Sequence, residues 1–297
     1  MKATEHIHKK VSGQNLGIAI LLNTLITLAQ AIGGILSGSL ALLSDAAHNL
    51  SDVLSMVISY VANRLAKKEA TEKQTFGFRR SEVLAALINS TTLIIISVII
   101  LFEAFKRLIS PVPVSSDWVI YLAIAGILTN GLSVLFLRSD ANENMNMKSV
   151  YFHLIGDMFT SIAVLLGGLA MKYLQWFWAD SLFSMAIAIY LLYMSWGIVR
   201  SSLRILMQFT PEDVDVHIIV REIEKIEGVK NIHHVHVWQI NEHDLMFEAH
   251  IDMSDDLKVS SFEKVLERIN EVLNHHNITH STIQPEFTVD DNKRIIH

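Results

Sequence analysis

The chain has 297 residues; 51% are hydrophobic, only 18% are charged, none is cysteine, and the formal net charge is −6. Soluble domains carry charge on about a quarter of their residues, so an ordinary soluble globular protein is excluded. The lack of cysteine removes disulfides, thiolate metal sites and thiol nucleophiles, and the acidic balance argues against a nucleic-acid partner. The shortage of charge is uneven: residues 14–200 are largely apolar, whereas 211–297 read as a charged soluble domain. The predicted divisions are an N-terminal tail over 1–13, a membrane domain over 14–207 and a soluble domain over 208–297.

The opening MKATEHIHKK is charged and has no small-residue cleavage site, unlike a removed signal peptide. His6 and His8, with Glu5, could gather metal, but a disordered tail is the competing reading. A bilayer span needs about 20 mostly apolar residues. Six segments qualify: 14–36, 40–63, 83–105, 117–137, 149–171 and 178–199. The third carries no charge over VLAALINSTTLIIISVIILF; the second and fifth are interrupted by Asp and His.

With the N-terminus inside, the inner loops and flanks hold most of the Lys and Arg, including Lys9, Lys10, Arg64, Lys67, Lys68, Arg79, Arg80, Arg138, Lys148, Arg200 and Arg204. The outer side keeps Lys106, Arg107 and Lys172. This asymmetry places both termini in the cytoplasm, and Trp176 and Trp178 suit the outer interface.

In the tail, Thr210-Pro211-Glu212-Asp213 reads as a helix start and Gly228 as its end, with Val216, Ile219, Ile223 and Ile226 at helical spacing. Strands are predicted over about 232–240, 245–253 and 281–288, and a second helix opens at Ser260 with Glu263. The fold class is therefore an all-α membrane domain of six helices plus a small α+β domain of order α-β-β-α-β, of the ferredoxin or metallochaperone-like kind.

Ionisable groups inside a span are functional candidates. Of fourteen histidines, His48 and His153 alone fall in the apolar part, and each has an aspartate four residues later, Asp52 and Asp157. That spacing puts each pair on one helix face. Two such faces offer two imidazoles and two carboxylates, a tetrahedral set that Zn²⁺ accepts. Two satisfied intrahelical hydrogen bonds are the competing reading. The weak repeat HNLSDVLS against HLIGDMFT carries both pairs. Asp45, three residues before His48, is assigned to an exit path, with a residue at an aqueous mouth equally open.

The segments LSGSLALLSDAAHNLSD, FGFRRSEVLAALIN, HLIGD and ADSLFS, with HHVHVW and HSTIQPE in the tail, resemble the cation diffusion facilitator family along essentially the whole chain. His48 resembles its zinc-transporting branch. The resemblance implies a homodimer that exports divalent metal from the cytoplasm in exchange for protons, with the transport site on His48, Asp52, His153 and Asp157; the lack of a targeting peptide and the compact size point to a bacterial inner membrane. It also implies metal binding by the tail, with His233, His250, His280 and Glu286 matching best and His236 lying in the HHVHVW motif. Cytosolic zinc held there would pull two tails together and favour transport; a solvated, histidine-rich sheet face is the competing reading.

Alternation along the strand puts His233 opposite His234 and His236, so one ion cannot engage all three without a bulge. His250, between Ala249 and Ile251, is predicted to point away from the core, and His275 and His276 fall at a helix C-terminus. Two departures from the family stand out. The loop 64–82 has no histidine, with Phe78 where a ligand would be, so no strong loop site is expected. Asp180 is followed by Ser181 where the family often has proline; Asp180 is grouped with Asp45 on the pathway, its role left open.

No HExxH, nucleophile elbow or nucleotide-binding loop is present, which disfavours a membrane-bound zinc hydrolase and an ATP-driven pump. A metal-sensing receptor would leave the intramembrane pairs unexplained. A donor set of imidazole and carboxylate without thiolate suits Zn²⁺, with Cd²⁺ and Co²⁺ as further candidates, and disfavours Cu(I). The expected partners are divalent metal ions, protons, the lipid bilayer and a second copy of the chain.

Overall fold

The computed structural model describes residues 13–66, 68, 70–141, 145–241, 243–290 and 292–296. His6, His8 and Glu5 lie outside the described residues. The chain divides into two compact units, Met1–Ile58 with Ile88–Gly197, and Ser59–Leu87 with Ile198–His297.

Six long helices come first: α1 (Gly13–Ser37), α2 (Leu40–Ala66), α3 (Ser81–Ile109), α4 (Ser116–Ala141), α5 (Met145–Leu174) and α6 (Trp178–Leu206). At about 1.5 Å per residue each exceeds the roughly 30 Å of a hydrocarbon core. Among the described residues, five of them (α1, α3, α4, α5 and α6) are apolar enough to cross a membrane. The remaining helix, α2, carries Asp45, His48, Asn49, Asp52 and Arg64, and these depress its hydropathy. The interruption predicted for the fifth span is milder, and Tyr151–Leu174 still qualifies.

The first unit has the polarity of a membrane protein. Leu21, Leu25, Leu28 and Ile32 of α1 recur at helical spacing and are exposed, whereas Asn23, Thr27 and Gln30 on another face are buried. Apolar side chains face outward and polar ones inward, the arrangement that suits a hydrocarbon solvent. Helix α4 packs against α1 and α5. A core of Ala41, Leu42, Val119, Ala123, Val164, Met171, Ile187 and Leu191 joins α2, α4, α5 and α6. Trp176 and Trp178 stack with ring centroids 5.4 Å apart.

In the second unit, α7 (Val216–Ile223), β1 (Val229–Gln239), β2 (Leu245–Met253), α8 (Val259–His275) and β3 (Ile278–Glu286) follow in that order. The sheet order is β1-β2-β3, with β1 antiparallel and β3 parallel to β2. The parallel pair requires a crossover, which α8 supplies. Ile219 and Ile223 of α7, Val265, Ile269 and Leu273 of α8, and Ile232, Phe247, Ala249 and Ile251 of the sheet form one core. Pro285, which cannot donate to a ladder, lies on β3 at the sheet edge.

Several boundaries differ from the sequence reading. Helix α7 starts at Val216 rather than at Thr210-Pro211, because the Asp215 carboxylate accepts the N–H groups of His217 and Ile218. Pro211 instead closes a turn, its carbonyl accepting from the Val214 N–H. Ile226 lies beyond the helix, and its carbonyl accepts from the Val229 N–H. Gly228, at φ +95°, then turns the chain so that β1 begins at Val229, paired with Met253. Helix α8 begins at Val259 without a side-chain cap; the Lys258 carbonyl takes the first bonds, from Ser261 and Phe262. Strand β3 starts at buried Ile278, paired with Leu245.

Candidate metal centres

Helices α2 and α5 bring the two His–Asp pairs together. His48 Nε2 lies 3.2 Å from Asp157 Oδ1, and His153 Nε2 lies 3.2 Å from Asp52 Oδ2. These cross-helix approaches are shorter than those within each helix, 3.7 Å for His48 to Asp52 and 3.8 Å for His153 to Asp157. The imidazole centroids are 5.8 Å apart. One ligand atom each from His48, Asp52 and Asp157 lies within 4.8 Å of the others.

Asp157 is 1% exposed, and apart from these imidazole approaches both of its carboxylate oxygens, with Asp52 Oδ2 and His48 Nδ1, have no hydrogen-bond partner. Buried polar atoms are costly to leave unsatisfied, and four in one cluster of metal-ligating atoms fit a cation. Two satisfied intrahelical hydrogen bonds would not leave this pattern.

Sequence reasoning marked Asp45 but missed the side chains that hold it. Asp45 is fully buried and accepts from Gln30 Nε2 at 2.8 Å, Thr160 Oγ1 at 2.7 Å and Ser161 Oγ at 3.1 Å. Asn49 donates to Gln30 Oε1 at 3.1 Å. Asp45 thus ties α1 and α2 to α5 one turn from the ligands. Tyr190 of α6 sets its ring edge-on to His48, with centroids 6.4 Å apart. Gln30, Asn49, Thr160, Ser161 and Tyr190 are polar or aromatic at isolated positions, and no spacing rule marks them in a single sequence. Asp180, 1% exposed, caps α2: it accepts from the Ser39 hydroxyl and from the N–H groups of Leu40, at 2.8 Å, and Ala41, at 3.3 Å.

The second cluster lies on the sheet of the C-terminal unit. His233, His250 and Glu286 each place one ligand atom within 4.8 Å of the others. His250 Nδ1 is 2.7 Å from Glu286 Oε1, and His233 Nε2 is 3.3 Å from Glu286 Oε2. On β2, Phe247, Ala249 and Ile251 enter the core while His250 and Asp252 take the other face, as alternation requires.

A bulge resolves the conflict on β1. His233 pairs with His250 and His236 with Glu248, so three steps along β1 match two along β2. The extra residue is His234, at φ +51°. Both His233 and His234 thereby flank His250, with centroids 5.5 and 4.7 Å away.

Two of the tail candidates are not brought into this cluster. His236 is exposed beside Glu248 and lines a cavity with Met207, Gln208 and Trp238. His280 pairs with Met246, six residues before Glu286 on β3, which is about 20 Å along a strand; it lines a separate cavity with Lys68 and Thr279. Asp252 was missed, although its position two residues after His250 was the available signal. His276 caps α8 and binds Glu222 of α7 at 2.9 Å.

The chain matches two family models in succession, the cation efflux transmembrane domain over residues 16–207 and the cation efflux protein cytoplasmic domain over residues 211–287. It is 38% identical to the cadmium, cobalt and zinc/H(+)-K(+) antiporter of Bacillus subtilis (strain 168), covering 94% of this chain and 91% of the relative. It is 33% identical to the metal cation efflux system protein CzcD of Cupriavidus metallidurans, over 95% and 89% of the two chains. It is 32% identical to the zinc transporter ZitB of Escherichia coli (strain K12), over 88% and 83%. With both of its parts matched and relatives aligned over nearly its whole length, the chain belongs to the cation efflux family, the cation diffusion facilitators, whose members are membrane transporters and not enzymes.

Proposed function

We propose that this protein exports zinc from the cytoplasm in exchange for protons, with cadmium and cobalt as further cargo, by alternating access around His48, Asp52, His153 and Asp157. The observation that carries the reading is the meeting of these four side chains across α2 and α5 around the buried Asp157, with carboxylate oxygens that have no partner beyond the imidazoles. Two imidazoles and two carboxylates make a neutral complex with Zn²⁺, which offsets much of the cost of dehydrating the ion. Each imidazole must lose its proton to coordinate, and histidine is the side chain whose ordinary titration range lies nearest neutral pH. A site facing a neutral cytoplasm therefore loads zinc, and one facing an acidic exterior exchanges it for protons. The names of the relatives, which cite zinc, cadmium, cobalt and H(+), support this cargo and counter-ion.

In this reading six helices span the bacterial inner membrane, with α2 as the sixth, its polar groups lining the path, and both termini cytoplasmic. The transport domain covers 14–207, with Asp45 at its pathway and Asp180 fastening the start of α2, and a regulatory domain covers 208–297. The protein works as a homodimer, and zinc held by His233, His250 and Glu286 of the cytoplasmic domain favours the dimeric, active arrangement. The clustered donors of these residues fit such an ion. The test is zinc flux into proteoliposomes under an imposed pH gradient. Wild type is expected to move zinc against the proton gradient and Asp157→Ala to be silent; equal flux from the two would overturn the proposal.

A further inference from the structure

The cytoplasmic cluster has a charge imbalance that the chain itself corrects. Glu286 and Asp252 are largely buried side by side, against His233, which is fully buried. Two carboxylates in such a place require a counter-charge. Lys293 supplies it: its ammonium donates to Asp252 Oδ1 at 2.9 Å and to Glu286 Oε2 at 3.3 Å, and lies 3.5 Å from His233 Nε2. An ammonium has three donors and no acceptor, and here two carboxylates accept from it beside a ring nitrogen.

Resting on the reading of His233, His250 and Glu286 as a zinc site, we propose that Lys293 is a tethered stand-in for the metal. It fills the site when zinc is absent and must leave when zinc binds. The exclusion is chemical as well as electrostatic. The ammonium lies at His233 Nε2, the ring nitrogen nearest Glu286, so lysine and metal compete for one place and the same donor atoms. The Glu286 oxygen that the lysine holds is likewise a prospective ligand, and the two cations would repel each other at a few ångströms.

The lysine is fixed in a short strap that crosses the bulge. The Arg294 carbonyl accepts from the His234 N–H at 3.1 Å, and the Ile295 carbonyl accepts from the Val235 N–H at 2.7 Å. Ile295 also packs against the core of the domain. Expelling Lys293 therefore strains the strap over β1, so zinc binding is coupled to release of the C-terminal residues.

The test uses the full chain with Asp157→Ala in place to silence the membrane site, and zinc as the probe. Acylation of the Lys293 amine, read by mass spectrometry, is expected to rise severalfold when zinc is added. Lys293→Met is expected to tighten zinc binding about tenfold, equivalent to about 1.4 kcal/mol, whereas Lys293→Arg, which keeps a cation, stays near the parent. Zinc binding with unchanged acylation, or with equal affinity in Lys293→Met, overturns the role of the lysine and leaves the zinc site standing. No zinc bound by parent or variant overturns the site and the lysine's role together. The acylation readout is made on the native lysine and does not depend on a variant folding.

Discussion

Removing the Asp180 carboxylate should unfasten the start of α2, the helix that presents His48 and Asp52. Asp180 accepts three hydrogen bonds there, and the Ser39 hydroxyl that donates to it also accepts from the Leu42 N–H. Hydrogen bonds to a charged group contribute about 1.5–3 kcal/mol each, and a buried N–H left alone costs about 1–3 kcal/mol. The contributions overlap, since the same N–H groups are counted on both sides, so Asp180→Ala is expected to cost about 3–5 kcal/mol. Asp180→Asn keeps one acceptor oxygen but turns an NH2 toward the partner of the other, so it loses the charge and at least one of the three bonds, for about 1–3 kcal/mol. The assay is unfolding of the detergent-solubilised chain by increasing dodecyl sulfate, followed by circular dichroism, with zinc flux measured per folded molecule. The expected order of stability is wild type, Asn, Ala, with flux per folded Asn variant preserved. An Ala variant as stable as wild type would refute the capping role. Lost flux at full stability in the Asn variant would assign Asp180 to the ion path instead.

Gly126→Ala places a methyl group 2.8 Å from Gln30 Nε2 and 3.0 Å from Ser161 Oγ, the two groups that hold Asp45 Oδ2. Overpacking of about 1–3 kcal/mol is expected, with reduced flux, while Gly131→Ala on the same helix meets nothing within 4 Å and should transport normally; equal flux from the two would remove Asp45's network from the account. Ile269→Ala opens a cavity in the fully buried core beneath the sheet, at a cost of about 2–5 kcal/mol. Trypsin should then cut the C-terminal unit of the full-length protein readily, and wild-type resistance would contradict the packing.

Much of the intramembrane site was legible because charge is rare in apolar sequence. His48 and His153 stood out against their surroundings, and an interval of four fixed the face that each shares with its aspartate. What spacing could not supply was the crossing of the pairs, in which His48 approaches Asp157 more closely than its own Asp52. That depends on how α2 packs against α5. The same composition sets α2 apart: Asp45, His48 and Asp52 lower its hydropathy below that of its five neighbours.

In the tail, alternation assigned His250 and the core residues of β2 to their faces, and it marked β1 as inconsistent without a bulge. The bulge is there, at His234, but its place follows from pairing with β2 and from the strap at Arg294 and Ile295. Lys293 reaches the cluster across some sixty residues of sequence from His233, a distance over which periodicity carries no information. The start of α7 was misread for a local reason. Thr210-Pro211 and Asp215 both resemble caps, and only the second has its side chain aligned with the N–H groups of a continuing helix.

The account's central claim is that one zinc ion is held in the membrane by two imidazoles and two carboxylates. X-ray absorption at the zinc edge tests it most directly, on full-length protein with the cytoplasmic cluster removed by His250→Ala and Glu286→Ala. The expected result is one zinc per chain in four-coordinate nitrogen and oxygen ligation at about 2.0–2.2 Å, with two imidazole signatures, and its loss in Asp157→Ala. Absence of bound zinc, or zinc that persists unchanged in Asp157→Ala, would contradict the account.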